Sequence, residues 1–458
     1  MLEPCNDVSS GDALPESGVH VTTRSLVLSV GCLLLASSAE AQDPLSGCWS
    51  AQLERDALRW DIRLDISAGT GDVAATIDVD ALWLARQALP SFRVNGRNLR
   101  FDLPWDIGEF SGTFDPGRLS GTVTFEDGRA SPLTFDPVPC RHRTATDLAW
   151  QSGDVTIEGT LTLPPGEGPF PAVVVLHGGG DSSRDSPPYA FWGDYLPRLG
   201  IACLLYDKRG NGASTGDWRQ VGFEDRARDV GGGLARLRAH PSIDATRLGL
   251  LAVSQGSWIA GLVARSDPSV RFVVNVSGPA VSVVEADTYA VEAELRRDGW
   301  PEQDISERLR LWQLNAQVAR DPESNEAWAR LQTAIDAVRE RAWFRSSPYD
   351  PDRQSPWRTW YHLVLDYDPR PVLDVLDIPM LWVFGAMDGQ SDPARNLAIL
   401  EGLRRAGRAY TIAVYPQAGH GLLVPVDPRG RDADVLTTAP GFFLDLKRWL
   451  YTQLDLSQ

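Results

Sequence analysis

The chain has 458 residues, 43% of them hydrophobic and 23% charged, a composition that excludes a wholly disordered chain, collagen and a disulfide-rich miniprotein. Its 44 Lys and Arg residues against 61 Asp and Glu residues give a formal net charge of −17, which argues against a nucleic-acid partner. The length favours more than one domain.

Residues 1–41 have the pattern of a secretory signal peptide. An apolar run from Leu26 to Ala36 follows Arg24 and precedes the small-x-small sequence Ala39-Glu40-Ala41, a typical cleavage site. The run is shorter than a membrane span requires, so we expect no stable span once the peptide is removed. The mature protein is therefore predicted to be secreted or periplasmic.

The segment before this apolar run departs from the signal-peptide pattern. Basic residues are expected there, but it carries four acidic ones: Glu3, Asp7, Asp12 and Glu16. We therefore expect translation to start near Val21, which would make residues 1–20 a misassigned extension. A lipoprotein anchor at Cys32 is an alternative, although Ser29-Val30-Gly31 lacks the usual large apolar residue and lies inside the apolar run.

Residues 42–145 are predicted to form a small antiparallel all-β domain, either a barrel or a sandwich. Apolar and charged residues alternate from Leu58 to Ile66, the period of a half-buried strand, and the same alternation recurs to about residue 138. Cys48 and Cys140 bracket this segment, and export would permit a disulfide between them, with two buried thiols as the alternative. Packing, substrate gating and attachment are all open as roles for this domain.

Residues 146–458 have a different pattern, in which nearly continuous apolar strands alternate with helical stretches. The predicted strands are 172–176, 201–205, 248–253, 272–276, 381–384 and 411–414. Such strands form a parallel sheet that helices cover on both faces, with reactive residues at the carboxyl ends of the strands. The interval of about 280–372 reads as an inserted helical cap, and we expect most of its six tryptophans to form the core of that cap.

A serine with the sequence context of a nucleophile follows one of these strands. Ala252-Val253-Ser254-Gln255-Gly256 lies between a predicted strand and a predicted helix, as in the G-x-S-x-G nucleophile elbow, with Ala252 in place of the first glycine. The tight turn would push Ser254 out of the top of the sheet. Ser254 is therefore the predicted nucleophile.

A serine hydroxyl needs a base, and the base needs an acid to orient it. His420 is the predicted base because it follows the last apolar strand, whereas His362 lies in the cap. Asp388 is the predicted acid because it lies in the turn directly after strand 381–384, although Asp392 is close enough to compete.

An oxyanion site is predicted from a glycine-rich loop. His177-Gly178-Gly179-Gly180 ends the strand 172–176 and matches the H-G-G-G type of loop. We expect the amides of Gly178 or Gly179, together with that of Gln255, to stabilise an oxyanion. His177 is expected to hold the loop, and the charged residues of Asp207-Lys208-Arg209 and Arg184-Asp185 are interpreted as loop ion pairs at the mouth of the site.

Together these motifs resemble the exported α/β-hydrolases of the esterase, dienelactone-hydrolase-like and prolyl-oligopeptidase-like group. The resemblance covers about residues 150–455 and includes the segment 206–216, YDKRGNGASTG. It implies an α/β-hydrolase fold with a mostly parallel sheet and an inserted cap, here preceded by the small all-β domain.

The expected activity is hydrolysis of small-molecule carboxylic esters through an acyl-enzyme on Ser254, His420 and Asp388. A peptidase or aminopeptidase on the same triad is the alternative, and it would need a cap acid such as Glu285, Asp287 or Glu292 to bind a peptide terminus. A non-catalytic scaffold is a third possibility. We expect neither a metal nor a cofactor, because the His and Cys residues lack ligand spacing.

Overall fold

The computed structural model describes residues 45–55, 58–68, 73–140, 143–346, 352–425 and 436–457. The predicted signal peptide, the start near Val21 and the alternative anchor at Cys32 lie outside these residues. Within them, no helix combines the length and the apolar character that crossing a membrane requires.

The first part of the described chain is one antiparallel sheet, as its alternating pattern predicts. Its strands are β1 (Gly47–Arg55), β2 (Leu58–Ala68), β3 (Val73–Val79), β4 (Leu84–Ala88), β5 (Arg93–Asn95), β6 (Asn98–Asp102), β7 (Gly108–Asp115), β8 (Arg118–Phe125) and β9 (Ala130–Val138). They pair in the order β4-β3-β2-β1-β9-β8-β7-β6-β5. We call these strands the N-terminal sheet.

The N-terminal sheet curls around a core of its own. Along β2, Trp60, Ile62 and Leu64 are buried while Arg59 and Asp61 are exposed, so one face points inward. The inward side chains of eight of the nine strands, all except β5, meet in one hydrophobic cluster of the described residues. A disulfide joins Cys48 on β1 to Cys140 just beyond β9, with the two Cα atoms 5.1 Å apart.

A second, mixed sheet carries the candidate site. Its strands are β10 (Thr144–Ser152), β11 (Val155–Leu163), β12 (Phe170–Leu176), β13 (Ala202–Tyr206), β14 (Ile243–Val253), β15 (Val270–Val276), β16 (Met380–Gly385) and β17 (Tyr410–Tyr415). They pair in the order β10-β11-β13-β12-β14-β15-β16-β17. The six strands β12–β17 run parallel to one another. At one edge of the sheet, β11 pairs antiparallel with β13 and with β10. The predicted α/β-hydrolase fold is confirmed.

Helices cover both faces of this sheet and build the cap. They are α1 (Pro187–Arg198), α2 (Phe223–Ala239), α3 (Gly256–Ser266), α4 (Val283–Arg297), α5 (Glu302–Arg320), α6 (Asn325–Val338), α7 (Ala342–Ser346), α8 (Pro356–Val364), α9 (Arg370–Leu373), α10 (Pro393–Arg405) and α11 (Phe442–Leu454). Helices α1 and α11 pack on one face, and α2, α3 and α10 pack on the other. The helices α4–α9 lie between β15 and β16, where the sequence predicts the inserted cap.

A short turn of the N-terminal sheet contacts the part of the chain that contains the second sheet and its helices, which we call the hydrolase part. Asp80 accepts two hydrogen bonds from the guanidinium of Arg198 on α1, at 2.6 and 3.2 Å. Trp83 Nε1 donates to Thr438 Oγ1 at 2.6 Å, and its ring lies against Phe191 and Trp192. Thr438 belongs to β19 (Leu436–Thr438), which pairs with β18 (Leu423–Pro425). The N-terminal sheet therefore packs against the hydrolase part through specific side-chain contacts.

Candidate active site

Ser254 lies on a tight turn between β14 and α3. Its backbone has φ of 51°, in the left-handed region that non-glycine residues rarely adopt, and its amide donates to the carbonyl of Val276 at 2.8 Å. A Cβ on Gly256 would approach the carbonyl oxygens of Leu176 and His177 to 2.9 Å, so this position requires glycine. Ala252 is fully buried at the end of β14. The local geometry is that of a nucleophile elbow.

Asp388 and His420 come together from the loops that follow β16 and β17. His420 Nδ1 lies 2.9 Å from Asp388 Oδ2 and 3.1 Å from Oδ1. The carboxylate is buried, and its Oδ1 also accepts the amides of Gln390 and Ser391 at 2.8 and 2.9 Å. A Cβ on Gly385 would overlap the carbonyl of Ala418, so a glycine lets the two loops approach. With Nδ1–H donating to the acid, Nε2 of neutral His420 is left as an acceptor.

The competing residues have other partners. Asp392 caps α10, where its Oδ1 accepts the amides of Ala394 and Arg395 at 3.0 and 3.2 Å. His362 Nδ1 lies 2.7 Å from the carbonyl of Ala319 inside the cap. The structure therefore pairs Asp388 with His420 and leaves Asp392 and His362 in roles within helices.

Ser254 and His420 line the same cavity, whose volume is about 990 Å³. The hydroxyl of Ser254 has no hydrogen-bond partner among the residues that the structure describes, His420 included. Catalytic hydrogen bonds in substrate-free enzymes are often long and tighten only in the complex. A bond from Ser254 Oγ to Nε2 of His420 thus belongs to the proposed mechanism and is not a contact of this structure.

The oxyanion loop differs in one respect from the prediction. The amide of Gly178 donates to the hydroxyl of Tyr189 on α1 at 2.7 Å, so it is not free to bind an oxyanion. In the described part of the chain, the amides of Gly179 and Gln255 have no acceptor, and both residues line the cavity. Of the three predicted donors, only the amides of Gly179 and Gln255 are unbonded within the described residues. Sequence reasoning missed Tyr189, whose contact with the loop depends on how α1 packs.

Two buried basic side chains donate hydrogen bonds to this loop and to Gln255 beside it. Lys208 Nζ donates to the carbonyls of Gly178 and Gly180 at 2.7 and 2.6 Å. Arg226 on α2 donates to the side-chain oxygen of Gln255 at 2.7 Å. Burial lowers the pKa of Lys208 well below its usual value, with a further contribution from Arg226, and burial lowers the pKa of Arg226 to about 10.

The sequence predicts loop ion pairs for the segment 207–209, and one of them is present, because Arg184 Nε lies 3.7 Å from Asp207 Oδ2. The segment itself is buried and does not lie exposed at the mouth. Asp207, Lys208 and Arg209 are all buried, and each has hydrogen-bond partners inside the protein. Arg209 binds both carboxylate oxygens of Asp229 at 2.7 Å. A run of three charged residues suggests exposure, and only the folded chain provides the partners that make burial possible.

His177 lies behind the loop, between the rings of Tyr189 and Tyr206 at centroid distances of 4.4 and 4.7 Å. Burial, followed by the charges of Lys208 and Arg226, lowers the pKa of His177 well below its usual value. The imidazole is therefore neutral near pH 7 and fills space beneath the loop, away from the cavity lining.

The walls of the cavity are mainly apolar, and the N-terminal sheet and the cap both contribute to them alongside the loops around Ser254 and His420. The N-terminal sheet contributes Leu82, Trp83, Leu84 and Trp105, and the cap contributes Ala286, Asp287 and Ala290. Asp287 is the one carboxylate among the described lining residues, and burial raises its pKa to about 6. The other two cap acids have cationic partners, since Glu285 lies 3.1 Å from Arg370 and Glu292 lies 2.9 Å from Arg296.

Parts of this chain are similar to known proteins. Esterase EstD of Thermotoga maritima is 30% identical over 158 residues, which cover 31% of this chain and 38% of EstD. Esterase FrsA of an Enterobacter species is 30% identical over 135 residues, 30% of this chain and 31% of FrsA. The chain thus spans about a third of the length of these two relatives. The structure of the Pyrococcus furiosus esterase PF2001 covers 68% of this chain, and this chain covers 91% of PF2001, with a TM-score of 0.44 and 15% identity.

A family model described as serine aminopeptidase, S33, matches residues 167–427. The matched segment exceeds half of the chain and contains the parallel strands β12–β17, the cap, the Ser254 elbow and the Asp388–His420 pair. This protein belongs to the serine aminopeptidase S33 family of α/β-hydrolases.

Proposed function

We propose that this protein is an exported serine esterase that hydrolyses carboxylic esters of small molecules. The observation that carries the proposal is the Asp388–His420 hydrogen bond, formed in the cavity that also holds the strained elbow serine. A histidine oriented by a buried carboxylate next to a serine on such a turn is the arrangement that activates a hydroxyl for acyl transfer.

In the proposed mechanism, Ser254 Oγ attacks the ester carbonyl while Nε2 of His420 takes the hydroxyl proton. Asp388 stabilises the resulting imidazolium, and the amides of Gly179 and Gln255 donate to the tetrahedral oxyanion. His420 then gives its proton to the departing alkoxide, which leaves as the alcohol. Water, activated by the same histidine, attacks the acyl-enzyme and releases the acid.

Esters are the preferred substrates because alkoxides leave more easily than amines, and because two relatives that match parts of the chain are named esterases. The same triad could act on peptides, and Asp287 is the observation that favours this second candidate. As the lone described carboxylate in the cavity wall, it could accept hydrogen bonds from a substrate amino group. Its pKa of about 6 leaves it mostly ionised at neutral pH.

The proposed location outside the cytoplasm rests on the predicted signal peptide, and the Cys48–Cys140 disulfide supports it because such bonds persist in oxidising compartments. N-terminal sequencing of the mature protein from culture fluid or periplasm tests this point. We expect a mature chain that begins near Gln42, and a mature chain that begins at Met1 would contradict export.

The catalytic proposal is tested with a fluorophosphonate probe, which forms a bond from phosphorus to an activated serine oxygen and releases fluoride. We expect wild type and Ser266→Ala to be labelled, and Ser254→Ala to remain unlabelled. Ser266 is the matched control because it lies at the far end of the same helix, α3. Folded wild type that resists labelling would refute the proposal and favour the scaffold.

A substrate panel then separates the two enzyme candidates. It compares p-nitrophenyl esters with aminoacyl-anilides, with Asp287→Asn as a second enzyme form. We expect the esters to be cleaved with the higher kcat/KM and Asp287→Asn to retain that activity. Preferential cleavage of the anilides, lost in Asp287→Asn, would establish an aminopeptidase instead.

A further inference from the structure

The N-terminal sheet reaches the candidate active site. Four of the described residues that line the cavity with Ser254 and His420 precede residue 106: Leu82, Trp83, Leu84 and Trp105. All four are apolar, and the indole N–H of Trp83 is already bonded to Thr438. This wall therefore offers a substrate contact area and almost no hydrogen-bonding capacity.

Trp105 lies on this wall with about half of its surface exposed. It stands in the short turn Pro104–Asp106 between β6 and β7, with 52% of its surface exposed. The residues beside the turn, Leu103 and Ile107, are buried in the core of the N-terminal sheet and hold the turn in place. Trp105 has no ring contact with another aromatic side chain in the described part of the chain.

Backbone strain marks the same wall. Trp105 has φ of 59° and Trp83 has φ of 55°, both in the left-handed region where glycine is the usual residue. Glycine or asparagine would relieve the strain at an exposed turn. Position 105 nevertheless holds a tryptophan, and half of the surface of this side chain is exposed to solvent. Strained backbone of this kind concentrates at ligand-binding and active sites.

We propose that the N-terminal sheet is the specificity wall of the esterase, and that Trp105 binds a bulky aromatic or long apolar group of the substrate. The inference rests on the proposed esterase activity and names the substrate class for that same site. A cavity of about 990 Å³ with an apolar wall gives a small ester few contacts, whereas a naphthyl group can cover the exposed indole. Leu436, which is 40% exposed and lines the same cavity, extends the apolar area.

The test compares three esters in a pH-stat assay: ethyl acetate, 2-naphthyl acetate and ethyl 2-naphthoate. For Trp105→Ala we expect KM to rise about 10-fold for at least one naphthyl ester, a loss of about 1.4 kcal/mol of binding. We expect kcat for that ester to change by less than about 3-fold, and kcat/KM for ethyl acetate to fall much less than kcat/KM for the naphthyl ester. The two naphthyl esters distinguish whether the wall binds the alcohol or the acyl part.

Trp105→Phe and Val375→Ala are the control variants. Phe keeps an aromatic surface, so we expect it to restore most of the affinity for the naphthyl ester. Val375 is 61% exposed and does not line the cavity, so its truncation tests the general effect of removing exposed apolar surface. We expect Val375→Ala to match wild type with all three esters.

The outcomes separate this inference from the activity on which it rests. Equal kinetics of wild type and Trp105→Ala with the naphthyl esters, or an equal loss with ethyl acetate, would overturn the specificity wall while the esterase stands. If folded wild type is neither labelled by fluorophosphonate nor active on any ester, the esterase proposal fails and takes the specificity wall with it.

Discussion

Lys208 provides the sharpest test of how the oxyanion loop works. Its Nζ donates to the carbonyl of Gly178, which belongs to the same peptide unit as the amide of Gly179. In a trans peptide the C=O and N–H bonds point in opposite directions, so a carbonyl held toward Lys208 directs the Gly179 N–H away from it. The second bond, to Gly180 O, holds the peptide unit between Gly180 and Asp181. The perturbation is Lys208→Met, which keeps the length of the side chain and removes its donors.

The magnitude follows from what this substitution leaves behind. Loss of one well-aligned oxyanion donor costs about 10²–10³ in kcat, or about 2.7–4 kcal/mol. The Gly179 N–H remains in place but is no longer held, so we expect the lower end, a loss of about 10²-fold. KM should change less than about 3-fold, because the donor acts mainly on the transition state.

The effect on stability should be smaller than the effect on rate. An unpaired buried carbonyl at Gly178 costs about 1–3 kcal/mol. Burial of the ammonium is itself unfavourable, as the lowered pKa of Lys208 indicates, and its removal offsets part of that cost. We therefore expect the free energy of unfolding to fall by no more than about 2 kcal/mol.

The assay is steady-state hydrolysis of a p-nitrophenyl ester, with denaturant unfolding of each variant. Lys447→Met is the control, because Lys447 is the other lysine of the sequence and lies on α11, outside the cavity lining. The reasoning is refuted if Lys208→Met keeps the kcat of wild type. A rise in KM at constant kcat would also refute it, because that would assign Lys208 to substrate binding.

Three further predictions concern the triad acid, the cap acid and the disulfide. Asp388→Asn should lower kcat for ester hydrolysis about 10³–10⁴-fold, because His420 loses the acceptor that sets its tautomer. Asp392→Asn is the control, and its kcat should stay within about 10-fold of the wild-type value. Folding raises the pKa of Asp287 from 3.8 to about 6, so the wild type loses stability as this carboxyl ionises between about pH 4 and pH 6. Asp287→Asn does not ionise. In urea unfolding, its stability relative to wild type should therefore rise by up to about 3 kcal/mol between pH 4 and pH 7. The Cys48–Cys140 bond closes a separation of 92 residues, and replacing both cysteines by serine should cost about 2–5 kcal/mol in thermal or denaturant unfolding.

Each of these predictions has an outcome that contradicts it. Full activity of Asp388→Asn would remove this residue from the mechanism. A stability difference between Asp287→Asn and wild type that is the same at pH 4 and pH 7 would show that the carboxyl does not titrate in this range. Equal stability of wild type with and without a reductant would show that the disulfide contributes nothing.

Local sequence patterns were sufficient for the fold and for the elements that carry the site. The apolar strands and the elbow are each encoded within about ten consecutive residues, which is why periodicity and turn chemistry predict them. The cap interval was predicted because amphipathic helices occupy the long stretch between two apolar strands. The edge strands β10 and β11 were not among the predicted apolar strands, because they carry polar residues on one face and resemble the N-terminal sheet in pattern. Asp388 was preferred to Asp392 for its place in the turn directly after the strand. A second local clue was not used: the pair Asp392-Pro393 is typical of a helix start, and Asp392 caps α10.

Features that depend on long-range packing were not predictable in the same way. The bond from the amide of Gly178 to Tyr189 requires α1 to lie against the loop, and nothing in the H-G-G-G motif contains that information. Lys208 is charged, which argues for exposure, and only the folded chain brings the two carbonyls within reach that offset part of the cost of burying it. The contribution of Trp105 to the cavity depends on how two sheets dock, which a pattern within either sheet cannot specify.

The bonds that fasten the N-terminal sheet have a consequence for biosynthesis. Trp83 donates to Thr438, and Thr437 donates to the carbonyl of Ala81, between residues 355 and 356 positions apart in the sequence. Contacts so distant in sequence form late, because the whole intervening polypeptide must first be made and its ends brought together. A polypeptide that ends before Leu436 would still contain the serine, the acid and the base. It would lack the strand that anchors Trp83, so the enzyme should mature only after residues 436–438 have been made.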